Sequence, residues 1–143
     1  MKYFLDTNIC IYLLKNKLPL LIEKILSFDP NEIKIPSIVK AELLYGAEKS
    51  QKRNDNIEKI NHFLFPLDIV GFGDIESTEY SLIRSNLEKQ GKIIGPNDLI
   101  IASTVKANNG VLVTNNVKEF NRVEDLVVEN WLDQLSTNQT QGT

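Results

Sequence analysis

Short apolar runs alternate along the chain with longer stretches whose apolar residues recur at helical spacing. The first run, Tyr3-Phe4-Leu5, stops at Asp6, so residues 2–6 are predicted as a buried strand entering a turn. Ile9 to Lys15 follows as a short apolar helix, and Leu20 to Phe28 as a second, closed by Asp29-Pro30-Asn31. Ile33 to Ile35 is a strand ending at Pro36. Ser37 suits the N-cap of a helix over Ile38 to Lys49, since its hydroxyl can accept from a free amide of the first turn. Ile57, Ile60, Phe63 and Leu64 share one face of a helix over Asn54 to Phe65. Ile69 to Phe72 reads as a strand and Ile75 to Gln90 as a long helix, with Gly91 placed to end it in the left-handed conformation. Pro96 and Asn97 announce a helix over Asp98 to Ala107, which Asn109-Gly110 ends. Val111 to Val113 and Leu126 to Val128 are two further apolar strands.

Strands that are short, continuously apolar and interleaved with helices predict an α/β fold, a parallel sheet covered on both faces. Such sheets keep their ligands beyond the carboxyl ends of the strands, near the point where strand order reverses. Asp6 stands at such a strand end.

The composition changes this picture little. At 143 residues, 42% apolar and 24% charged, the chain suits one domain with a real core. It is expected to occupy residues 1–135, followed by a polar, frayed tail at 136–143. No apolar stretch is long enough to cross a membrane, and the N-terminus lacks the apolar region of a secretory signal. A single cysteine, Cys10, allows no internal disulfide and reads as a small buried hydrophobe. A cytoplasmic setting fits these features. The charge matters more. A net charge of −3 and a pI near 5.2 argue against indiscriminate binding to nucleic acid, so any RNA contact must use local basic patches. The same acidity leaves room for a basic protein partner.

Three acids occupy informative positions. Asp6 ends the first strand, Glu42 lies one turn into the helix after the second, and Asp98 lies in the first turn of an apolar helix. Singly, each has an ordinary explanation. Asp6 can cap a helix, and Asp98 can favour a helix N-terminus through the dipole. Glu42 on an apolar face is harder to explain so, because unpaired Glu is rarely buried. Brought together, carboxylates repel until a cation compensates, and Mg²⁺ or Mn²⁺ prefers such oxygen ligands. A bound cation also activates water toward a phosphodiester, so no side-chain nucleophile is required. The chain's one histidine, His62, has no acidic or nucleophilic companion nearby in sequence, which disfavours a Ser/His triad.

The segments "YFLDTN", "SIVKAELLYGAEKS", "IGPNDLIIAS" and "VLVTNNVKEFNRVEDLVVENW", in this order and at these separations, resemble the PIN-domain ribonucleases, and more narrowly the VapC toxins of bacterial toxin–antitoxin pairs. The resemblance implies a three-layer α/β/α fold with a five-stranded parallel sheet and Mg²⁺- or Mn²⁺-dependent endoribonuclease activity. It places Asp6, Glu42 and Asp98 as catalytic, metal-holding acids. Thr114 takes the hydroxyl position after the fourth strand. Asn116 stands where the family often has another acid, which bears on a second metal. Asn8 and Asn115 become supporting or substrate-orienting residues. The ending resembles the enteric-type group, which is associated with cleavage of initiator tRNA in the anticodon loop. A VapB-type antitoxin is implied as partner, its C-terminal segment lying across an apolar groove near the acids and delivering a basic side chain among them, and homodimerisation is implied as well. Lys15, Lys17, Lys49, Lys52, Arg53 and Lys118 are candidate RNA contacts, each also explicable as a solvated surface charge. Tyr12 and Tyr45 can stack on bases or pack, and Trp131 is expected to pack the C-terminal segment.

Other classes fit less well. A haloacid-dehalogenase-type phosphatase wants a second Asp at position 8, where this chain has Asn8. A phospho-receiver domain begins with adjacent acids, whereas Asp6 stands alone. A PIN fold kept as a catalytically weak binding module, acting through an antitoxin or nucleic-acid complex, would have lost acids that are present here.

Overall fold

The computed structural model describes residues 1–132. Along the chain run β1 (Tyr3–Leu5), α1 (Thr7–Lys15), α2 (Pro19–Leu26), β2 (Ile33–Pro36), α3 (Ser37–Glu48), α4 (Arg53–Leu64), β3 (Asp68–Val70), α5 (Asp74–Gln90), α6 (Pro96–Ala107), β4 (Val111–Val113), α7 (Val117–Phe120) and β5 (Val127–Glu129). The five strands form one sheet in the order β3-β2-β1-β4-β5, every neighbouring pair parallel. Helices cover it in a three-layer α/β/α arrangement. The expected α/β class and strand number are both observed. The predicted tail at 136–143, and the end of the predicted domain at 135, lie outside the described residues.

Burial explains which strands were easy to read. Central β1 and β4 meet helices on both faces, and Phe4, Leu5, Leu112 and Val113 are fully buried. A strand buried on both faces must be apolar at every position. Edge strands β3 and β5 are only partly covered. Their limits differ from the sequence reading, which placed them at 69–72 and 126–128. Asp68 belongs to β3, where it pairs in register with Lys34 and meets its Nζ at 3.0 Å. Leu126 precedes β5.

Helix ends show similar agreements and corrections. Gly91 closes α5 with φ +67°, as expected. α6 ends on Asn109, which takes the left-handed position (φ 54°), and the Gly110 N–H donates to the Val105 carbonyl. Ser37 is not an N-cap. It is the first residue of α3, and Pro36 holds the cap position with no side-chain bond. Strand β2 runs straight into the helix, so no polar residue is left at the junction to cap it. α7 was missed because a single turn carries no periodicity. Glu76 is buried, and its carboxylate accepts from the Gly73 N–H and from Asn108 Nδ2, tying the start of α5 to the end of α6. Cys10 and Trp131 are buried as expected, with the indole stacked on Phe28 at 5.2 Å between centroids and tilted against Tyr3.

The topology fixes where a site can form. From β1 the chain builds outward through β2 to β3, then crosses to the other side of β1 for β4 and β5. The reversal falls between β1 and β4. Their carboxyl ends therefore flank a crevice that no crossover helix fills.

Candidate active site

Asp6 follows β1 at this crevice and is 5% exposed. Its two oxygens have separate partners. Oδ1 accepts from the Ile9 N–H at 2.9 Å, so Asp6 is the N-cap of α1. Oδ2 accepts from the Thr114 hydroxyl, which stands just past β4. The Thr114 oxygen in turn accepts from the Asn116 N–H at 3.0 Å. The capping role and the site role are thus held by one carboxylate. Burial pushes the Asp6 carboxyl above its ordinary range, the bonds from Thr114 and Ile9 oppose this, and nearby Glu42 adds to it.

Glu42 reaches the cluster from α3, half-buried, with Oε2 accepting from the Thr7 hydroxyl at 2.9 Å. Asp98 reaches it from the first turn of α6. Its carboxyl is pushed up to about 6, first by burial, then by the charge of Glu119 alongside and a hydrogen bond shared with it, with Asp6 and Glu42 contributing further. Burial acts in the same direction on Glu119. Hydrogen bonds from the Gly95 N–H (2.9 Å), Asn116 Nδ2 (2.5 Å) and Asp98 outweigh it and hold Glu119 below its ordinary range. Asp98 is therefore the member of this pair whose charge is disfavoured.

Asp6, Glu42 and Asp98 are brought within electrostatic reach of one another, and Glu119 joins them. The sequence reading missed Glu119 and Thr7. It looked for a fourth charge at position 116, where Asn116 instead donates to Glu119 from three residues upstream. The run "NNVKEF" held the signal, since positions three apart meet on a single helical turn.

The other predicted residues divide. Asn8 supports Asp6 through its backbone N–H, while its residue surface is exposed. Asn115 is exposed and accepts from Asn130 Nδ2, joining the loops after β4 and β5. Arg53 pairs with Glu48 at the surface through two bonds of 2.6 and 2.7 Å. Lys49 lies over the Tyr45 ring at 4.9 Å. Lys17, Lys52 and Lys118 are exposed, and Lys15 lines a pocket with Glu42.

Among the described residues, no three acids, histidines or cysteines gather tightly enough to hold one ion together. Each acid is drawn toward its own donor: Asp6 to Thr114, Glu42 to Thr7, Glu119 to Gly95. The donor set is nonetheless all oxygen, and its charges are crowded. That chemistry fits a hard divalent cation bound by one or two carboxylates and through water by the others.

An open parallel sheet with acids gathered at its switch point is the design of a PIN domain, and residues 3–126 match that family. The chain is 46% identical to "Ribonuclease VapC2" of Rickettsia felis over 92% of its own length and 98% of the relative. It is 37% identical, at the same coverages, to "tRNA(fMet)-specific endonuclease VapC" of Shigella flexneri. Its structure superposes with a TM-score of 0.87 on the crystal structure of VapBC2 from Rickettsia felis bound to a DNA fragment from their promoter, at 44% identity, covering 92% of this chain and 99% of that one. The chain belongs to the PIN-domain family, within its VapC ribonuclease group.

Proposed function

We propose that this chain is the toxin of a VapBC-type pair, a Mg²⁺- or Mn²⁺-dependent endoribonuclease that cuts RNA at defined sites, with initiator tRNA in the anticodon loop as the substrate to test first. The observation that carries the reading is the crowding of Asp6, Glu42, Asp98 and Glu119 at the switch point, which together with burial pushes the Asp98 carboxyl up to about 6. Acids so placed destabilise one another unless a cation or a basic group joins them. Bound there, a divalent cation would lower the pKa of water and offset charge on the phosphate. The chain's own residues set the arrangement. Thr114 and the Ile9 N–H aim the two oxygens of Asp6, and Thr7 holds Glu42. Asn116 and Gly95 keep Glu119 beside the cluster. A VapB-type antitoxin that delivers a basic side chain among these acids would relieve the same repulsion and occupy the same place, a direct route to inhibition.

The test is cleavage of total tRNA by the purified protein with Mn²⁺, with Mg²⁺ and with EDTA, the new ends mapped by sequencing. Discrete cuts with 5′-phosphate and 3′-hydroxyl ends, stopped by EDTA, are expected. A 2′,3′-cyclic phosphate would mean that the 2′-hydroxyl attacked and would sink the mechanism. No cleavage by folded protein would move the binding-module reading to first place.

Thr114→Val keeps the side-chain shape and removes the hydroxyl that aims Asp6. Cleavage is expected to fall about 10–100-fold, the usual effect of losing a partner that orients a ligating carboxylate. The circular dichroism spectrum should not change. A variant as active as wild type would show that Asp6 needs no such aiming.

A further inference from the structure

The acid cluster has two flanks. Thr7 and Glu42 form the one built from α1 and α3, and α7 with its following turn forms the other. On this second flank α7 is tied twice to the loop between α5 and α6. The Gly95 N–H donates to Glu119, and Arg122, just past α7, donates from Nη1 to the Ile93 carbonyl at 2.9 Å. Arg122 therefore stands at the rim of the cluster. Burial pushes Glu119 up, the bonds from Gly95, Asn116 and Asp98 outweigh it, and the Arg122 charge adds to them. Yet the two side chains do not pair. Glu119 Oε1 is taken by the Gly95 N–H and Oε2 by Asn116 Nδ2. Glu124 and Asp125 follow in sequence, and neither forms an ion pair with Arg122 among the described residues. Arg53 and Arg84, by contrast, pair with Glu48 and Glu88. Arg122 is exposed, and its acceptor is a neutral carbonyl, so no carboxylate contact neutralises its charge.

The bond to Ile93 holds the guanidinium in one place and leaves Nε and Nη2 with no acceptor among the described residues. These two groups share one edge of the guanidinium and present parallel N–H donors, the match for two oxygens of a phosphate. Part of the side-chain freedom that binding would cost is already lost. RNA at this site needs such a group. A strand lying across four acids is repelled at each flanking phosphate unless a fixed positive charge meets it. The net charge of −3 supplies no general attraction in its place. We propose that Arg122, anchored by the Ile93 carbonyl, binds a phosphate of the RNA substrate beside the scissile one. The inference rests on the ribonuclease reading and gives its substrate a contact that the sequence reading passed over.

Three variants test it. Arg122→Gln removes the charge, and Arg122→Lys keeps it without the fork of donors. Lys2→Gln removes an equal charge just before β1, at the end of the sheet away from the acids. Binding of a fluorescein-labelled anticodon stem-loop of initiator tRNA is followed by anisotropy in EDTA over a range of KCl concentrations. Mn²⁺ binding is measured separately by calorimetry, without RNA. Arg122→Gln should weaken RNA binding about tenfold at low salt and lower the slope of log K against log[KCl] by about 1. Arg122→Lys should keep the slope and lose part of the affinity with the bidentate bond. Lys2→Gln should match wild type. Mn²⁺ affinity should hold or rise in Arg122→Gln, because a charge that repels the cation has gone. An unchanged slope in Arg122→Gln overturns the phosphate contact and leaves the ribonuclease reading standing. An equal loss in Lys2→Gln would mean that net charge alone acts, and also overturns it. Weaker Mn²⁺ binding alongside weaker RNA binding would make Arg122 only a tie for the loop that leads to Asp98, and the proposal fails. An Arg122-dependent slope in a wild type that cuts no RNA supports the contact and overturns the ribonuclease reading.

Discussion

Asp98→Asn should silence cleavage, by a hundredfold or more if Asp98 holds the metal as proposed, and yet make the protein harder to unfold at neutral pH. Both effects come from the same crowding. The Asp98 carboxyl has its pKa near 6 in the fold, against an ordinary 3.8, because burial and then Glu119 disfavour its charge. Between those two values the native state keeps a proton that the unfolded chain has lost. Stability therefore falls as pH rises from about 4 through about 6, and above that the full penalty remains. An amide in its place carries no charge and can still donate to Glu119. This carboxyl is only partly buried, so the gain is expected to be modest, about 1 kcal/mol at pH 7.5 and close to nothing at pH 4. Urea unfolding of both proteins at the two pH values measures it. Mn²⁺ should raise the wild-type midpoint by binding the native state, and raise the variant's less. A variant destabilised equally at both pH values would refute the crowding on which the proposed activity rests.

Gly110→Ala should be strongly destabilising. A Cβ at this position would lie 2.4 Å from Phe4 Cε2, 2.5 Å from Phe4 Cδ2 and 3.2 Å from the Lys2 carbonyl oxygen. Phe4 is fully buried in the central strand and has no free volume to enter. The clash must be relieved by moving β1 or β4, at a cost of about 2–3 kcal/mol. Asp6 follows β1 directly, so the same movement should misplace its bond from Thr114 and lower activity as well. Gly46→Ala is the contrast. Nothing lies within 4 Å of its Cβ, and a helix interior favours Ala over Gly by about 0.8–1.0 kcal/mol. Its urea midpoint should hold or rise while that of Gly110→Ala falls. Equal midpoints would mean that Phe4 yields and that the approach of β4 to β1 is not what demands glycine.

The two variants mark the limits of what could be read from sequence. Apolar runs between turn signals were enough for the central strands and the long helices, because those elements are buried on one or two faces and burial leaves a pattern. Asp6, Glu42 and Asp98 were legible as acids at strand ends and helix starts, and the order of their segments pointed to the family. That information is local or sequential, and it lies in single residues and their neighbours.

Contacts between segments distant in sequence had no such trace. Thr114 meets Asp6 across 108 positions, and Glu119 meets the Gly95 amide across 24. Gly110 is required by Phe4 of β1 and by Lys2 just before it, although its sequence context reads only as a helix end. Arg53 pairs with Glu48 on the neighbouring helix, a contact that its own segment does not announce. The sequence by itself determined the α/β class, the elements with buried faces and the three acids. Tertiary structure alone decided the edge-strand limits, the fourth charge in the cluster, the raised carboxyl of Asp98 and the pocket beside Glu42. Burial periodicity belongs to each segment, whereas desolvation, charge crowding and close approach exist only once the sheet has brought the segments together.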